Sequence, residues 1–205
     1  PMRGATAVGS LRNNVEEMCN IYHSQGKSVF VDLGCANGIQ LAYALKTEKY
    51  VRCVGYEVTK GIKDAVPDGP KPEGMEIIWS DACNADFYTD LEIQTGRIKV
   101  VHFFSFWEGM PIDVQDAILK NVANFAIKHQ NVQVVSAWGS NRPSPQACIE
   151  VLASNGITAN IKEMGRRLRQ SGNPNATYRN YLIYNFKKDS GGETTSSPPP
   201  PPNGG

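Results

Sequence analysis

The stretch Ser28–Gly38, SVFVDLGCANG, decides the fold of this 205-residue chain. It begins as a short apolar run, which predicts a buried strand, and that run ends in an acid, Asp32. Gly34 and Gly38 then predict a turn, because glycine lacks a Cβ and adopts positive φ at little cost. An apolar stretch compatible with a helix follows. Strand, glycine turn and helix together indicate the first unit of a nucleotide-binding α/β sheet.

The spacing of the glycines narrows the class of ligand. Dinucleotide sites read G-x-G-x-x-G and phosphate loops read G-x-x-x-x-G-K-[ST]. Residues 32–38 instead read D-L-G-C-A-N-G, with no lysine after the last glycine. This pattern resembles the first motif of class I S-adenosylmethionine-dependent methyltransferases, D/E-x-G-x-x-x-G, in which the glycine turn approaches the methionine part of the cofactor. The alternative is an ordinary turn between a strand and a helix.

Two more acids follow predicted strands. Glu57 ends the predicted strand 51–57, where a carboxylate can accept both hydroxyls of a ribose. Asp81 follows the predicted strand 75–79, and in the methyltransferases an acid at this place commonly accepts from the adenine amino group. The alternatives are a solvated glutamate and a turn aspartate. The resemblance implies S-adenosyl-L-methionine as cofactor, bound by Asp32, Gly34, Cys35, Ala36, Gly38, Gln40, Glu57, Val58, Asp81, Ala82 and Phe104.

Strand and helix patterns continue to alternate up to residue 187. The last two predicted strands, 158–164 and 178–186, have no helix between them and should pair as an antiparallel hairpin. This layout resembles that of the class I methyltransferases. We therefore expect an α/β fold with a Rossmann-like, seven-stranded, mostly parallel sheet of order 3-2-1-4-5-7-6. Helices should cover both faces, and the sheet should end in the C-terminal antiparallel hairpin.

The length fits one domain with flexible ends. We expect the domain to span residues 1–187, with a flexible lead over 1–10 and a first helix from Leu11. Residues 188–205 are rich in Ser, Gly and Pro, which predicts a disordered tail. The five cysteines lack C-x-x-C spacing, which argues against a zinc site and a complete disulfide framework and favours an intracellular location. No apolar run approaches the ~20 residues of a membrane span, so we expect no membrane partner.

A narrower resemblance involves the segment around the fourth predicted strand, 97–104. With residues 30–40, 55–57 and 80–81, the run H-F-F-S-F at 102–106 is similar to the disruptor-of-telomeric-silencing family, which are histone lysine methyltransferases without a SET domain. That family reads N-N-F-A-F, so His102 and Phe103 replace its two asparagines. The resemblance implies a protein lysine N-methyltransferase with a histone substrate. It also implies a nuclear location. If the histone prediction does not hold, we expect a cytoplasmic location instead.

The chemistry of an amine acceptor suits the same segment. Aromatic walls hold a cation by cation–π contact, Glu108 would steer it, and His102 would accept its proton. The alternatives are that Phe104 is core packing and that His102 is a buried, hydrogen-bonded residue. The candidate catalytic residues are His102, Phe104, Ser105, Phe106, Trp107 and Glu108.

A basic loop in the terminal hairpin is compatible with methyl acceptors other than lysine. The net charge is only +1, so an acidic partner must be met by a local patch. Arg166, Arg167 and Arg169 form such a patch, suited to RNA phosphates or to an acidic protein, with a solvated loop as the alternative. An RNA methyltransferase, a small-molecule methyltransferase and an inactive cofactor-binding module therefore stand beside the favoured lysine function. The sequence does not indicate an oligomeric state.

Overall fold

The computed structural model describes residues 8–65, 70–142, 144–170 and 173–189. Within these ranges the chain alternates strands and helices for most of its length. The elements are α1 (Val8–Ile21), β1 (Ser28–Leu33), α2 (Ile39–Leu45), β2 (Arg52–Tyr56), α3 (Lys60–Ala65), β3 (Met75–Ile78), α4 (Phe87–Asp90), a 3-10 turn (Ile93–Thr95), β4 (Val100–Phe106), α5 (Ile112–Lys128), β5 (Gln133–Ser140), α6 (Gln146–Ala153), β6 (Ile157–Glu163), β7 (Leu168–Gln170) and β8 (Asn173–Lys188).

The strands of the described ranges form one mixed sheet. Its order is β3-β2-β1-β4-β5-β8-β6, with the short β7 paired to β8 off this path. The first five strands are parallel, whereas β8 runs antiparallel to both β5 and β6. The predicted fold class is confirmed, because β8 and β6 are the two strands of the predicted terminal hairpin. β7 is an addition to the seven predicted strands.

Helices cover both faces of the sheet, as its apolar strands require. All six residues of β1 are buried, because a parallel sheet with two covered faces has no solvent side. On one face, side chains of α1 and α2 such as Leu11 and Leu41 pack with Phe30 and Phe104. On the other face, α4, α5 and α6 pack against Val29, Val31 and Phe103. Successive residues of one strand thus pack into the core on opposite faces of the sheet.

Three elements differ from expectation. The first helix begins at Val8, inside the stretch expected to be a flexible lead. The polar residues 86–95 predict one helix, but the structure has a single helical turn followed by a 3-10 turn, because Glu92 adopts a left-handed φ of 53° that ends the helix. The loop expected over 165–174 contains β7, because Leu168 is fully buried in the core on the α1 side.

Parts of the predicted domain organisation lie outside the described residues. These are residues 1–7 of the predicted lead and residues 190–205 of the predicted tail. The predicted boundary at 187 falls near the end of β8, and Asp189 donates its N–H to the carbonyl of Gly156. In the part of the chain that the structure describes, no helix has both the length and the apolarity to cross a membrane.

Candidate functional site

The ends of β1, β2, β3 and β4 bring most of the predicted site residues to one edge of the sheet. These strands are parallel, so their carboxyl ends share an edge, and Asp32 lies in register with Gly55 of β2 and Phe104 of β4. Open α/β sheets bind their ligands outside this edge. The predicted residues that end these strands or follow them directly are Asp32, Gly34, Cys35, Ala36, Gly38, Glu57, Val58, Asp81, Ala82, Ser105, Phe106, Trp107 and Glu108.

The glycine turn is tied to the end of β2. The backbone N–H groups of Gly34 and Cys35 both donate to the carbonyl of Tyr56, at 2.9 and 3.0 Å. Gly34, Ala36 and Gly38 have φ of 90°, 49° and 79°, and glycine tolerates this left-handed region best. The turn therefore runs close to the sheet edge, where a Cβ at 34 would meet Met110 and a Cβ at 38 would meet Met75, each at 2.6 Å.

The carboxylate of Glu57 fastens this turn. One oxygen, Oε2, accepts from the N–H of Ala36 at 2.9 Å. The other, Oε1, accepts from the N–H groups of Val58 and Thr59 at 2.9 and 2.7 Å. A carboxylate has about four lone-pair sites, so three are in use and about one is left for a further donor. Glu57 is 7% exposed, so only a small part of its side chain is open at the edge.

Asp32 lies beneath the turn as a second, more deeply buried acid. It is 3% exposed, and the described residues give its carboxyl no hydrogen-bond donor. Burial, and after it the charge of Glu57, raises the pKa of Asp32 to about 8. Two close carboxylates in a dry site resist being ionised together, so Asp32 holds its proton near neutral pH. A bound cation would favour the ionised form.

Two predicted cofactor residues point into the protein. Cys35 is buried, and a Cβ on Gly55 would lie 2.4 Å from its Sγ, so the thiol packs tightly against β2. Burial raises the pKa of this thiol, which therefore remains an uncharged core group. Gln40 is 8% exposed in the first turn of α2.

Asp81 caps a turn beyond β3. Its Oδ1 accepts from the N–H of Cys83 at 2.9 Å, and its Oδ2 accepts from the side-chain amide of Asn84 at 3.3 Å. The same turn is fixed from α5, because Asn121 donates to the carbonyl of Ala82 at 2.9 Å. Asp81 remains exposed, so its free lone pairs face solvent at the edge.

Exposed apolar side chains stand around the acids. Ile39 begins α2, Val58 follows β2 and Ile112 begins α5, and they are 52%, 71% and 67% exposed. A ligand that covers such side chains removes apolar surface from water, which favours binding. We call these three residues the apolar rim, and their placement beside acids and open backbone suits a ligand with both apolar and polar parts.

The aromatic segment at the end of β4 is mostly core. Phe104 is buried against Phe30, with ring centroids 6.2 Å apart, and lies in the α1-side core. Ser105 is buried and donates to the carbonyl of Leu33 at 2.8 Å. Trp107 is fully buried, and the guanidinium of Arg142 covers its ring at 5.3 Å. These residues pack beneath the edge of the sheet, and neither the Phe104 ring nor the Trp107 ring has a face exposed to a ligand.

Phe106 and Glu108 are the members of the segment that reach the surface. Phe106 is half-buried and meets Tyr178 of β8 edge to face, with centroids 4.9 Å apart. Glu108 is half-buried, but its Oε2 is buried and has no hydrogen-bond donor in the described residues. Burial, and then interaction with Glu108, raises the pKa of Tyr178 to about 12. We call Phe106, Glu108 and Tyr178 the aromatic notch.

His102 is not brought to the edge. It is fully buried in β4, in register with Phe30 and Val135. Its Nε2 lies 2.7 Å from the carbonyl of Tyr22, which requires an N–H there, and its Nδ1 lies 2.9 Å from the Tyr50 hydroxyl and accepts from it. Burial lowers the pKa of His102 to about 4. Both ring nitrogens are engaged, so His102 has the role of a structural residue between α1, β2 and β4.

Three residues at the edge were missed from the sequence. The methyl of Met110 would lie 2.6 Å from a Cβ on Gly34, so this side chain touches the glycine turn. Arg142 is buried, forms an ion pair with Asp116 and donates to Gln115 at 3.2 Å. Tyr178 belongs to the notch. No local sequence pattern identifies these residues. Arg142 lies in a loop, and its burial depends on tertiary contacts that the sequence does not reveal.

The fold of this chain is similar to that of several solved structures. Neither a protein-family model nor a curated protein matches the sequence. A methyltransferase dependent on S-adenosylmethionine from Anabaena variabilis is 9% identical with a TM-score of 0.57, over 90% of this chain and 88% of that one. The methyltransferase domain of the bacterial CtHen1 is 12% identical with a TM-score of 0.55, over 87% and 100%. A candidate RNA methyltransferase from Pyrococcus horikoshii is 14% identical with a TM-score of 0.51, over 86% and 83%.

The chain has the fold of these methyltransferases. The similarity covers most of each chain. At 9–14% sequence identity it shows a shared fold and does not indicate a shared substrate. Activity must therefore be argued from the residues at the edge.

Proposed function

We propose that this protein is an S-adenosylmethionine-dependent methyltransferase. The observation that carries the proposal is the glycine turn fastened by Glu57, at the carboxyl edge of a sheet with the methyltransferase strand order. Asp32 and Asp81 end the neighbouring strands at the same edge. The fold shared with solved methyltransferases supports the same assignment.

The residues at the edge fit the chemistry of that cofactor. Its ribose hydroxyls need an acceptor, and Glu57 has one lone-pair site left beside the turn. Its adenine needs apolar cover, which Val58 and Ile39 of the rim offer, and Asp81 has exposed oxygens for an amino group. Its sulfonium and ammonium groups are cations, which the Asp32–Glu57 pair would favour. When bound, the cofactor supplies an electrophilic methyl group.

The protein itself positions the reactants and shields them from water. The glycine turn leaves backbone within reach of a ligand, and Glu57 fixes the shape of that turn. Buried Phe104, Ser105 and Trp107 make the end of β4 rigid, because Ser105 and Trp107 also bond backbone carbonyls of β1 and β5. A rigid edge holds two reactants in a fixed geometry, which is the main protein contribution to a displacement reaction.

The lysine acceptor predicted from the sequence finds no support in this geometry. An aromatic cage for a cation needs open ring faces. Phe104 and Trp107 are buried, and Arg142 already covers Trp107. The candidate proton acceptor, His102, is held inside the sheet. The histone substrate and the nuclear location then rest on the resemblance of residues 102–106 alone. We favour RNA as the acceptor over a protein or a small molecule, because the exposed Arg166, Arg167 and Arg169 suit phosphate groups.

Calorimetry with S-adenosylmethionine and its demethylated product tests the cofactor assignment. We expect binding of both, and no binding of either at millimolar concentration would refute it. Labelled methyl groups offered with total RNA, nucleosomes and a metabolite extract then test the reaction. Label in RNA supports the proposal as a whole. Cofactor binding without label in any fraction would identify a binding module that does not catalyse transfer.

A further inference from the structure

We propose that the β7–β8 hairpin binds single-stranded RNA, with its phosphates on the arginines and one base in the aromatic notch; this rests on the proposed function. A cleft of about 770 Å³ lies between α1 and the hairpin. We call it the basic cleft. The residues that the argument uses are Ser10, Asn13, Arg166, Arg167, Arg169 and Thr177.

The lining of the basic cleft matches the groups that contact phosphates. Arg166, Arg167 and Arg169 are exposed, and within the described residues no carboxylate lies at salt-bridge distance from them. Hydroxyl and amide side chains complete the lining, and these also donate to phosphate oxygens. Guanidinium groups bind phosphate through two parallel hydrogen bonds, which makes arginine the residue of choice for this anion.

Acids next to the cleft are already neutralised. Glu16 and Glu17 line an adjoining cleft with Arg166. Glu16 pairs with Arg12 at 3.0 Å, and Glu17 pairs with Lys162 at 2.9 Å. The unpaired charge on this side of the described protein is therefore positive, although the whole chain carries only +1.

Arg169 stands on β7, which is tied to α1, and Arg166 and Arg167 lie in the bend that leads directly into this strand. The N–H of Arg169 donates to the Ser10 hydroxyl at 3.0 Å, which ties β7 to α1. Leu168 between the arginines is fully buried. In α1, the side-chain amide of Asn14 donates to that of Asn180 at 3.0 Å, which ties β8 to the same helix. A preorganised patch loses little conformational freedom when a ligand binds.

The basic cleft adjoins the aromatic notch. Thr177 lines the cleft on one face of β8, and the next residue, Tyr178, lies on the other face as a member of the notch. Leu168 and Phe106 converge at Gly139, where an added Cβ would lie 2.3 and 2.6 Å from their side chains. A strand whose phosphates lie on the arginines would cross the β7–β8 pair to place a base at the end of β4, beside the proposed cofactor edge.

The notch has the features that hold a base. Phe106 and Tyr178 supply half-exposed ring surface, and stacking of bases on aromatic rings is the usual source of affinity for single strands. An acidic peptide would bind the arginines equally well, but it offers a ring to the notch only where it contains an aromatic residue, whereas every nucleotide carries a base.

Fluorescence anisotropy with a labelled single-stranded RNA of mixed sequence, without cofactor, tests this proposal. We expect binding whose affinity falls with salt, with a log–log slope of about −2, since three phosphates contribute roughly 0.7 each. Arg166→Ala, Arg167→Ala and Arg169→Ala should each reduce that slope by about 0.7, which amounts to a roughly 5- to 10-fold loss at 50 mM salt. Phe106→Ala should weaken binding and leave the slope unchanged.

The matched control is Arg97→Ala, which removes an equally exposed charge near the start of β4, at the opposite edge of the sheet. Its affinity should equal that of the parent protein. No RNA binding at 50 mM salt, or an equal loss from Arg97→Ala, would overturn the proposal, as would displacement of RNA by polyglutamate at matched charge. The exposed arginine variants should keep the melting temperature of the parent. Cofactor binding by calorimetry without RNA binding would refute only the RNA proposal, and the reverse result would refute only the cofactor assignment.

Discussion

At the scale of single residues, the carboxylate of Glu57 accepts from three backbone N–H groups and keeps about one lone-pair site for a ribose hydroxyl. Glu57→Ala should therefore weaken cofactor binding by about 1.5–3 kcal/mol, the range for hydrogen bonds to a charged group. It should also lower the melting temperature, because the glycine turn loses its fastening. Calorimetry and thermal unfolding measure the two effects. Glu73→Ala, at an exposed acid just before β3 at the opposite edge, should change neither, and unchanged cofactor affinity in Glu57→Ala would leave Glu57 a purely structural residue.

Gly34 tests whether the turn must lack a side chain. Its φ is 90°, and a Cβ there would meet Met110 at 2.6 Å. Gly34→Ala should lower the free energy of unfolding by about 1–3 kcal/mol from backbone strain alone and should also impair cofactor binding. Gly61→Ala is the matched control, because Gly61 lies in α3 with nothing within 4 Å of the added atom and no positive φ. Urea unfolding that gives equal values for both variants would contradict the strain argument.

At the scale of elements, the hairpin depends on the amide pair Asn14–Asn180. Both residues are buried, so Asn14→Ala leaves a buried amide without its partner and should cost about 1–3 kcal/mol of unfolding free energy. The double variant with Asn180→Ala should cost less than the sum of the single variants, since neither partner then stays unpaired. Urea unfolding measures the cycle. Exposed Asn20→Ala should fall within about 0.5 kcal/mol of the parent, and strict additivity at 14 and 180 would contradict the pairing.

Sequence patterns predicted the sheet better than they predicted the site. The positions of the main strands follow from apolar runs, which are local features, whereas their order was predicted from the resemblance to the class I methyltransferase layout. The break at Glu92 and the strand around Leu168 were missed, because a left-handed residue and a buried leucine in a basic run are fixed by tertiary packing. For the same reason the sequence pointed to Phe104 and Trp107 as open aromatics, although the structure buries both.

At the scale of the whole molecule, two buried groups make stability depend on pH in opposite senses. Asp32 has its pKa raised from 3.8 to about 8, so the folded state binds more protons than the unfolded state between these values, and stability falls as pH rises. His102 has its pKa lowered from 6.5 to about 4, so stability falls as pH drops through that window. The two slopes largely offset each other below pH 6.5, and only the Asp32 slope remains above it.

We therefore expect the cofactor-free protein to lose on the order of 2 kcal/mol of unfolding free energy between pH 6.5 and 8, at about 1.4 kcal/mol per pKa unit. Asp32→Asn keeps the shape without the charge and should remove that loss. Urea unfolding at the two pH values is the measurement. A parent protein that gains stability over this window, or an Asp32→Asn variant that still loses it, would contradict the assignment to Asp32.

The ends of the sheet bear on how the protein behaves at high concentration. β3 and β6 are the outermost strands, and an unprotected outer strand offers backbone hydrogen bonds to any neighbouring chain. β3 has only four residues, while β6 carries an irregularity between Thr158 and Asn160 and exposed charges at Lys162 and Glu163. Short length, a bulge and charge are the devices that discourage such strand addition. A sheet assembled largely from apolar runs is thus shielded at both borders against growing into aggregates.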